Sequence, residues 1–264
     1  MTEAFFTRDG DTFVPGDFCR GPWNRESLHG RVISGLLARE IERYADAEDW
    51  HIVRLTTDMF RLAPHAPVHV ASTLVRDGNR IRSVEASMLV DGVEVAKSSA
   101  LILRRTDHVA TSMGEERRVA LPHEITPEEP ETDEASGDFR DGWEMRIAPP
   151  DARPISWMRM RAPFIEGEDT SRFVRAAASA DFSSPASNRS EPRSAFINGD
   201  LTAHFHRYPE GEWIAFEPVF HESTDGVAVG ACRLHDLEGL FGLGTVSQIA
   251  NDRARARAAT PTVR

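Results

Sequence analysis

Two kinds of apolar spacing alternate along the chain. Val32, Ile33, Leu36, Leu37 and Ile41 recur on one helical face, with Arg39, Glu40, Glu42 and Arg43 mostly opposite, so a helix is predicted over residues 29–46. Phe173, Val174, Ala177, Ala178 and Asp181 repeat that period after a capping candidate at Asp169 or Thr170, predicting a second helix over 170–182. Each helical pattern is followed by β-rich runs broken by turn dipeptides. The first set runs from Leu55 through Pro64 and from Val68 through Val75, turns at Asp77-Gly78 and Asp91-Gly92, and ends near Leu103. The second runs from Leu201 through Pro209 and from Trp213 through Phe216, turns at Asp225-Gly226 and Glu238-Gly239, and ends near Ala250. Gly78 to Gly92 is 14 residues and Gly226 to Gly239 is 13. Asp-Gly between β-rich runs is a strong hairpin signal, so the matched offsets indicate an internal duplication. The repeating unit is a helix followed by an antiparallel sheet, an α+β arrangement. A helix so apolar for its length is expected to be wrapped by a curved sheet.

The units are expected at residues 1–105 and 142–252. The stretch 106–141 is rich in Pro, Glu, Asp and Ser and reads as an acidic linker, and 253–264 as a mobile basic, Ala-rich tail. Trp143–Ile147 and Ile155–Arg161 look like the strands that open the second unit.

Composition narrows the function. A formal net charge of −11 disfavours nucleic acid and anionic lipid as partners. No apolar run approaches the ~20 residues of a membrane span, and the first residues show no basic start leading into an apolar stretch. Two distant cysteines, Cys19 and Cys232, suit a reducing cytosol and exclude a disulfide framework or Cys-based zinc site. His204 and His206 share a strand face with no third ligand at a recognisable spacing, so no metal is expected. No Gly-Xaa-Ser-Xaa-Gly elbow and no dinucleotide or phosphate loop occurs.

Several motifs carry a resemblance. Gly21-Pro-Trp leads to His29-Gly30-Arg31 and a Leu/Ala-rich helix; Trp157–Arg161, Ala180–Phe182, Phe196–Arg207, Gly211–Trp213 and Thr245–Gln248 follow. In this order they resemble the acyl-CoA thioesterase II-like double-hotdog proteins, two fused hotdog units in one chain, over about residues 15–250. The resemblance implies hydrolysis of fatty acyl-CoA to free acid and CoA without a cofactor, and further homo-oligomeric association. It assigns the water-positioning roles to Asp181, Asn198 and Gln248, with Asp200 as the strand aspartate; His29, Gly30, Arg31 and Asp200 are the substrate-binding candidates. The chain departs from the family at Asn198, where a hydroxyl is usual, and at Arg31, where a glycine is usual.

The residues themselves allow plainer roles. Asp181, on the apolar helix face, is either a half-buried general base or a cap for the Ser183-Ser184-Pro185 turn. Gln248 alternates with Val246 and Ala250 and either binds a ligand water or pairs with backbone. Asn198-Gly199 could be a hairpin turn, but alternation from Ile197 to His206 favours an unbroken strand. That strand would place Ile197, Leu201, Ala203 and Phe205 on one face and Asn198, Asp200, Thr202, His204 and His206 on the other. His29-Gly30 is either an anion-binding helix start or an ordinary turn. The amides near Ser171-Arg172 are the expected oxyanion donors, and one site per chain is expected because Ala38-Arg39 supplies no carboxylate in the first helix. A hotdog hydratase or dehydratase and a non-catalytic acyl-binding module are the competing functions.

Overall fold

The computed structural model describes residues 4–22, 24–45, 48–112, 119–126, 141–149, 151–188 and 196–251; the tail from 253 and much of the expected linker lie outside these. The first unit comprises β1 (Phe6–Asp9), β2 (Thr12–Pro15), α1 (Gly30–Glu42), β3 (Trp50–Met59), β4 (Val68–Asp77), β5 (Ile81–Val90) and β6 (Val93–Arg104). The second has β7 (Trp143–Ile147), β8 (Ser156–Met160), α2 (Arg172–Ala180), α3 (Ser183–Ser187), β9 (Phe196–Asn198), β10 (Asp200–Phe205), β11 (Ile214–Thr224), β12 (Val227–Asp236) and β13 (Gly239–Ala250). Both long helices lie inside their predicted ranges. Asp91-Gly92 and Asp225-Gly226 have positive φ at both residues, the backbone that a tight two-residue hairpin requires.

All strands join one sheet in the order β1-β2-β4-β5-β6-β3-β10-β13-β12-β11-β8-β7, with β9 also on β13. Read from its centre, between β3 and β10, that order is the same in both directions. An offset of 146 residues takes Leu55 to Leu201 and Thr56 to Thr202. At the centre Thr56 pairs with Thr202, flanked by Leu55–Ala203 and Thr57–Leu201, and the two threonine hydroxyls hydrogen-bond at 3.1 Å. A pseudo-two-fold axis therefore passes between these threonines and relates two hotdog units, each an antiparallel sheet curved over its helix.

The helices pack antiparallel inside the sheet. Their contact faces are small: Ser34 Oγ donates to the Ala177 carbonyl at 3.1 Å, and a Cβ on Gly35 would lie 2.8 Å from that of Ala178. Around them Leu36, Leu37, Ile41, Phe173 and Phe205 build the buried core. Close approach of the axes sets the ends of one helix beside the opposite ends of the other. Within the stretch read as linker, Val119, Leu121 and Ile125 pack on Trp157 and Ala215 of the second unit, and the Trp157 indole donates to the Ala120 carbonyl.

Gly35→Ala tests the helix contact. The new methyl would stand 2.5 Å from the Phe164 ring, and such overpacking costs ~1–3 kcal/mol against the ~1 kcal/mol an alanine contributes within a helix. Thermal denaturation should show a lowered Tm; a raised Tm would mean that the helices are not this close.

Candidate active site

Asp181 is the C-cap of α2, where the chain leaves the helix for the short turn of α3. Pro185, with no N–H to donate, sits in that new turn. A carboxylate at the negative end of its own helix is placed against the dipole. The antiparallel packing compensates, because the positive N-terminus of α1 comes up against it. A Cβ on Gly30 would lie 2.8 Å from Asp181 Oδ1 and 2.9 Å from Oδ2, so the close approach requires glycine. The carboxylate comes from the second unit and the helix start from the first.

His29 caps α1: its Nδ1 accepts the Arg31 N–H at 3.1 Å and lies 3.6 Å from Asp181 Oδ2. Burial, with the Arg31 charge adding to it, holds the His29 pKa well below its ordinary value, so the imidazole is neutral and its proton sits on Nε2. Asn198 Nδ2 donates to Asp181 Oδ1 at 2.9 Å and to the Asp200 carbonyl at 3.2 Å. Burial raises the Asp181 pKa above the usual carboxylate range, while the Asn198 bond and the Arg31 charge oppose that rise. The Arg31 guanidinium lies over the rings of Phe182 and Trp143, and burial lowers its pKa to about 10.

These groups line one cavity of about 470 Å³. Its walls are mainly apolar, with Leu28 and Ile33 from the first unit and Met145, Phe182 and Ile197 from the second. Exposed Leu62 and Ile249 also line it.

The structure departs from the sequence expectation in three places. Asn198 and Asp200 do not share a face. Asn198 pairs with Gln248, whereas four residues on Thr202 pairs with Thr245, so Gly199 is an extra residue, a bulge between β9 and β10. One inserted residue reverses the side chains on one side of it; Asn198 turns inward to Asp181, and Asp200 instead accepts the Ser247 backbone N–H. The 146-residue offset takes Val53 to Gly199, and β3 shifts register between Ile52 and Arg54, so the bulge belongs to the duplicated pattern.

The second departure is the Ser171-Arg172 helix start. It lies at the opposite end of α2 from Asp181, where the Ser171 hydroxyl accepts the Val174 N–H. The helix start at Asp181 is His29-Gly30-Arg31. The third is Gln248, whose buried amide donates to Ser184 Oγ at 2.9 Å. Gln248 is not among the cavity-lining residues but Ser184 is, so the amide reaches the cavity through that hydroxyl. In sequence Ser184 reads as part of an ordinary turn and carries no signal of this role.

Residues 114–249 match the profile of the acyl-CoA thioesterase C-terminal domain and residues 19–103 that of the N-terminal domain. No curated protein matches by sequence. Among solved structures, a candidate thioesterase from Novosphingobium aromaticivorans superposes with a TM-score of 0.74 at 20% identity, covering 94% of this chain and 98% of that one. Acyl-CoA thioesterase II from Mycobacterium marinum gives 0.66 at 15% identity, covering 92% and 94%. A hot dog fold protein of unknown function from Alicyclobacillus acidocaldarius gives 0.69 at 14%, covering 93% and 95%. At these identities the structural likeness speaks to the fold.

The raised Asp181 pKa has a stability consequence. The folded state holds the Asp181 proton more tightly than the unfolded chain, so stability falls as pH rises from the ordinary carboxylate pKa through the raised one. Asp181→Asn removes that cost and should raise Tm at about pH 8 more than at about pH 4. An equal effect at both values would show that Asp181 is not desolvated.

Proposed function

The chain belongs to the acyl-CoA thioesterase family, and from that premise we propose that it hydrolyses fatty acyl-CoA to the free acid and CoA in the cavity at Asp181. The observation that carries this reading is the contact between Gly30 and the Asp181 carboxylate. It sets a buried base beside a helix N-terminus, the two groups that water attack on a thioester needs. Asp181 accepts a proton from water as the water oxygen bonds to the thioester carbonyl carbon. The carbonyl oxygen becomes an oxyanion, facing the Gly30 N–H and the positive end of α1. Collapse of that intermediate breaks the C–S bond and expels CoA thiolate, which takes up the proton. Asn198 fixes the carboxylate through its bond to Oδ1. Gln248 holds Ser184, and through it the cavity wall beside Asp181.

The apolar walls suit an acyl chain rather than a polar acid. Two buried free thiols, Cys19 and Cys232, suit a reducing compartment, so we place the reaction in the cytosol. No helix among the described residues is long and apolar enough to cross a membrane.

A thiol-release assay across acyl-CoA lengths tests the proposal. Asp181→Asn should lower kcat by about 10²- to 10⁴-fold, the usual scale of a lost general base. Arg39→Ala, at the far end of the helix pair, should keep most of the turnover. Comparable losses from both would place chemistry at that end as well, and full turnover in Asp181→Asn would remove Asp181 as the base.

A further inference from the structure

Arg31 is an expensive residue where it stands. It is 3% exposed, and it occupies the first turn of α1, where the helix dipole disfavours a cation. Burial pulls its pKa down to about 10, against the opposing pull of the Asp181 charge. The faces of Phe182 and Trp143, at 4.8 and 5.4 Å from the guanidinium carbon, recover part of the desolvation. Apolar side chains could fill that space without any charge, so the aromatic contact does not explain why a cation is there.

The neighbours supply the missing reason. Gly30, preceding Arg31, touches the Asp181 carboxylate, and Phe182, following Asp181, carries the Arg31 guanidinium on its ring. Arg31 and Asp181 both line the same cavity. We propose that Arg31 is a positioning residue for the hydrolysis: its buried charge keeps Asp181 ionised, and so able to take a proton from water, despite the apolar surroundings. This rests on the reading of Asp181 as the base.

Other groups facing Asp181 cannot supply that charge. His29, from the start of α1, is held neutral, its Nδ1 lone pair taken by the Arg31 N–H. Asn198, from β9, is an uncharged amide; Ser184 from α3 and Gln248 from β13 are uncharged too. Arg61, also on the cavity lining, is exposed, where water screens it. In a medium of low effective dielectric a charge at close range acts far more strongly than in water. A guanidinium suits the task because it is weakly hydrated, stacks on aromatic faces and stays protonated when buried. Consistent with this, burial raises the Asp181 pKa, and the Arg31 charge, after the Asn198 hydrogen bond, lowers it.

The test is the pH profile of kcat/KM for the wild-type enzyme, Arg31→Gln and Arg31→Lys. Arg31→Gln should move the acid limb upward by about one pH unit, a tenfold loss at pH values below the limb, while the plateau at high pH stays within a few-fold. Arg31→Lys should hold the limb near its wild-type position. An unmoved limb in Arg31→Gln overturns the proposal: with a raised KM it makes Arg31 a substrate contact, and with a lowered plateau a packing residue. A second readout needs no activity. Arg31→Gln should lower Tm more in the wild-type background than in Asp181→Asn, because only the former contains the carboxylate that the cation serves. Equal losses would overturn the proposal. Retained turnover in Asp181→Asn would defeat the base assignment itself, whatever Arg31 does to the limb.

Discussion

The antiparallel contact between α1 and α2 is the constraint on which the rest of the molecule depends. Each helix brings small residues to it, Ser34 and Gly35 from one and Ala177 and Ala178 from the other, so the axes approach closely. Neither unit could make the site alone. The sheet order repeats outward from Thr56 and Thr202, and the same pseudo-two-fold lays the start of one helix beside the end of its partner. The approach also places two opposed dipole ends together, which lets a carboxylate sit at the C-terminus of α2 facing the N-terminus of α1.

Symmetry of backbone is not symmetry of chemistry. Counted from the N-caps His29 and Ser171, Arg39 stands where Asp181 stands in the other helix. At that far end Arg39 makes two bonds to Glu168, at 2.9 and 2.7 Å, and Glu42 and Ser171 line the same pocket. The pocket there is smaller, about 280 Å³. Charge pairing has filled one of two equivalent positions, and the other keeps a carboxylate beside an open cavity. Arg31 shows the same divergence: the N-cap count takes it to Phe173, an apolar core residue.

The duplication was legible because turn chemistry and helical spacing are local properties. Asp91-Gly92 and Asp225-Gly226 need positive φ at both positions, and few other dipeptides tolerate that backbone. Asp181 was legible as a carboxylate on an apolar helix face. What the sequence did not display was which helix start meets it, since Gly30 and Asp181 stand 151 residues apart in the chain, roughly the scale of a whole domain. Unbroken alternation through Gly199 predicts the wrong facing for Asn198, because the bulge there inserts one residue. An isolated glycine within a strand pattern is itself a bulge signal, and aligning the two copies at Leu55 and Leu201 would have set Gly199 opposite Val53. Ser184 left no such mark; its bond to Gln248 joins residues that only the folded sheet brings together.

The account stands on one site assembled from both units, with Gly30 and Asp181 side by side on the cavity that would receive the thioester carbonyl. A crystal structure with a non-hydrolysable acyl-CoA ketone, in which a methylene separates sulfur from carbonyl, tests this most directly. The ketone oxygen should lie within hydrogen-bond distance of the Gly30 N–H, with the Asp181 carboxylate beside the carbonyl carbon and the chain among Leu28, Ile33 and Phe182. A ketone bound instead at the Ser171 end of α2, or with its carbonyl turned away from Asp181, would contradict it.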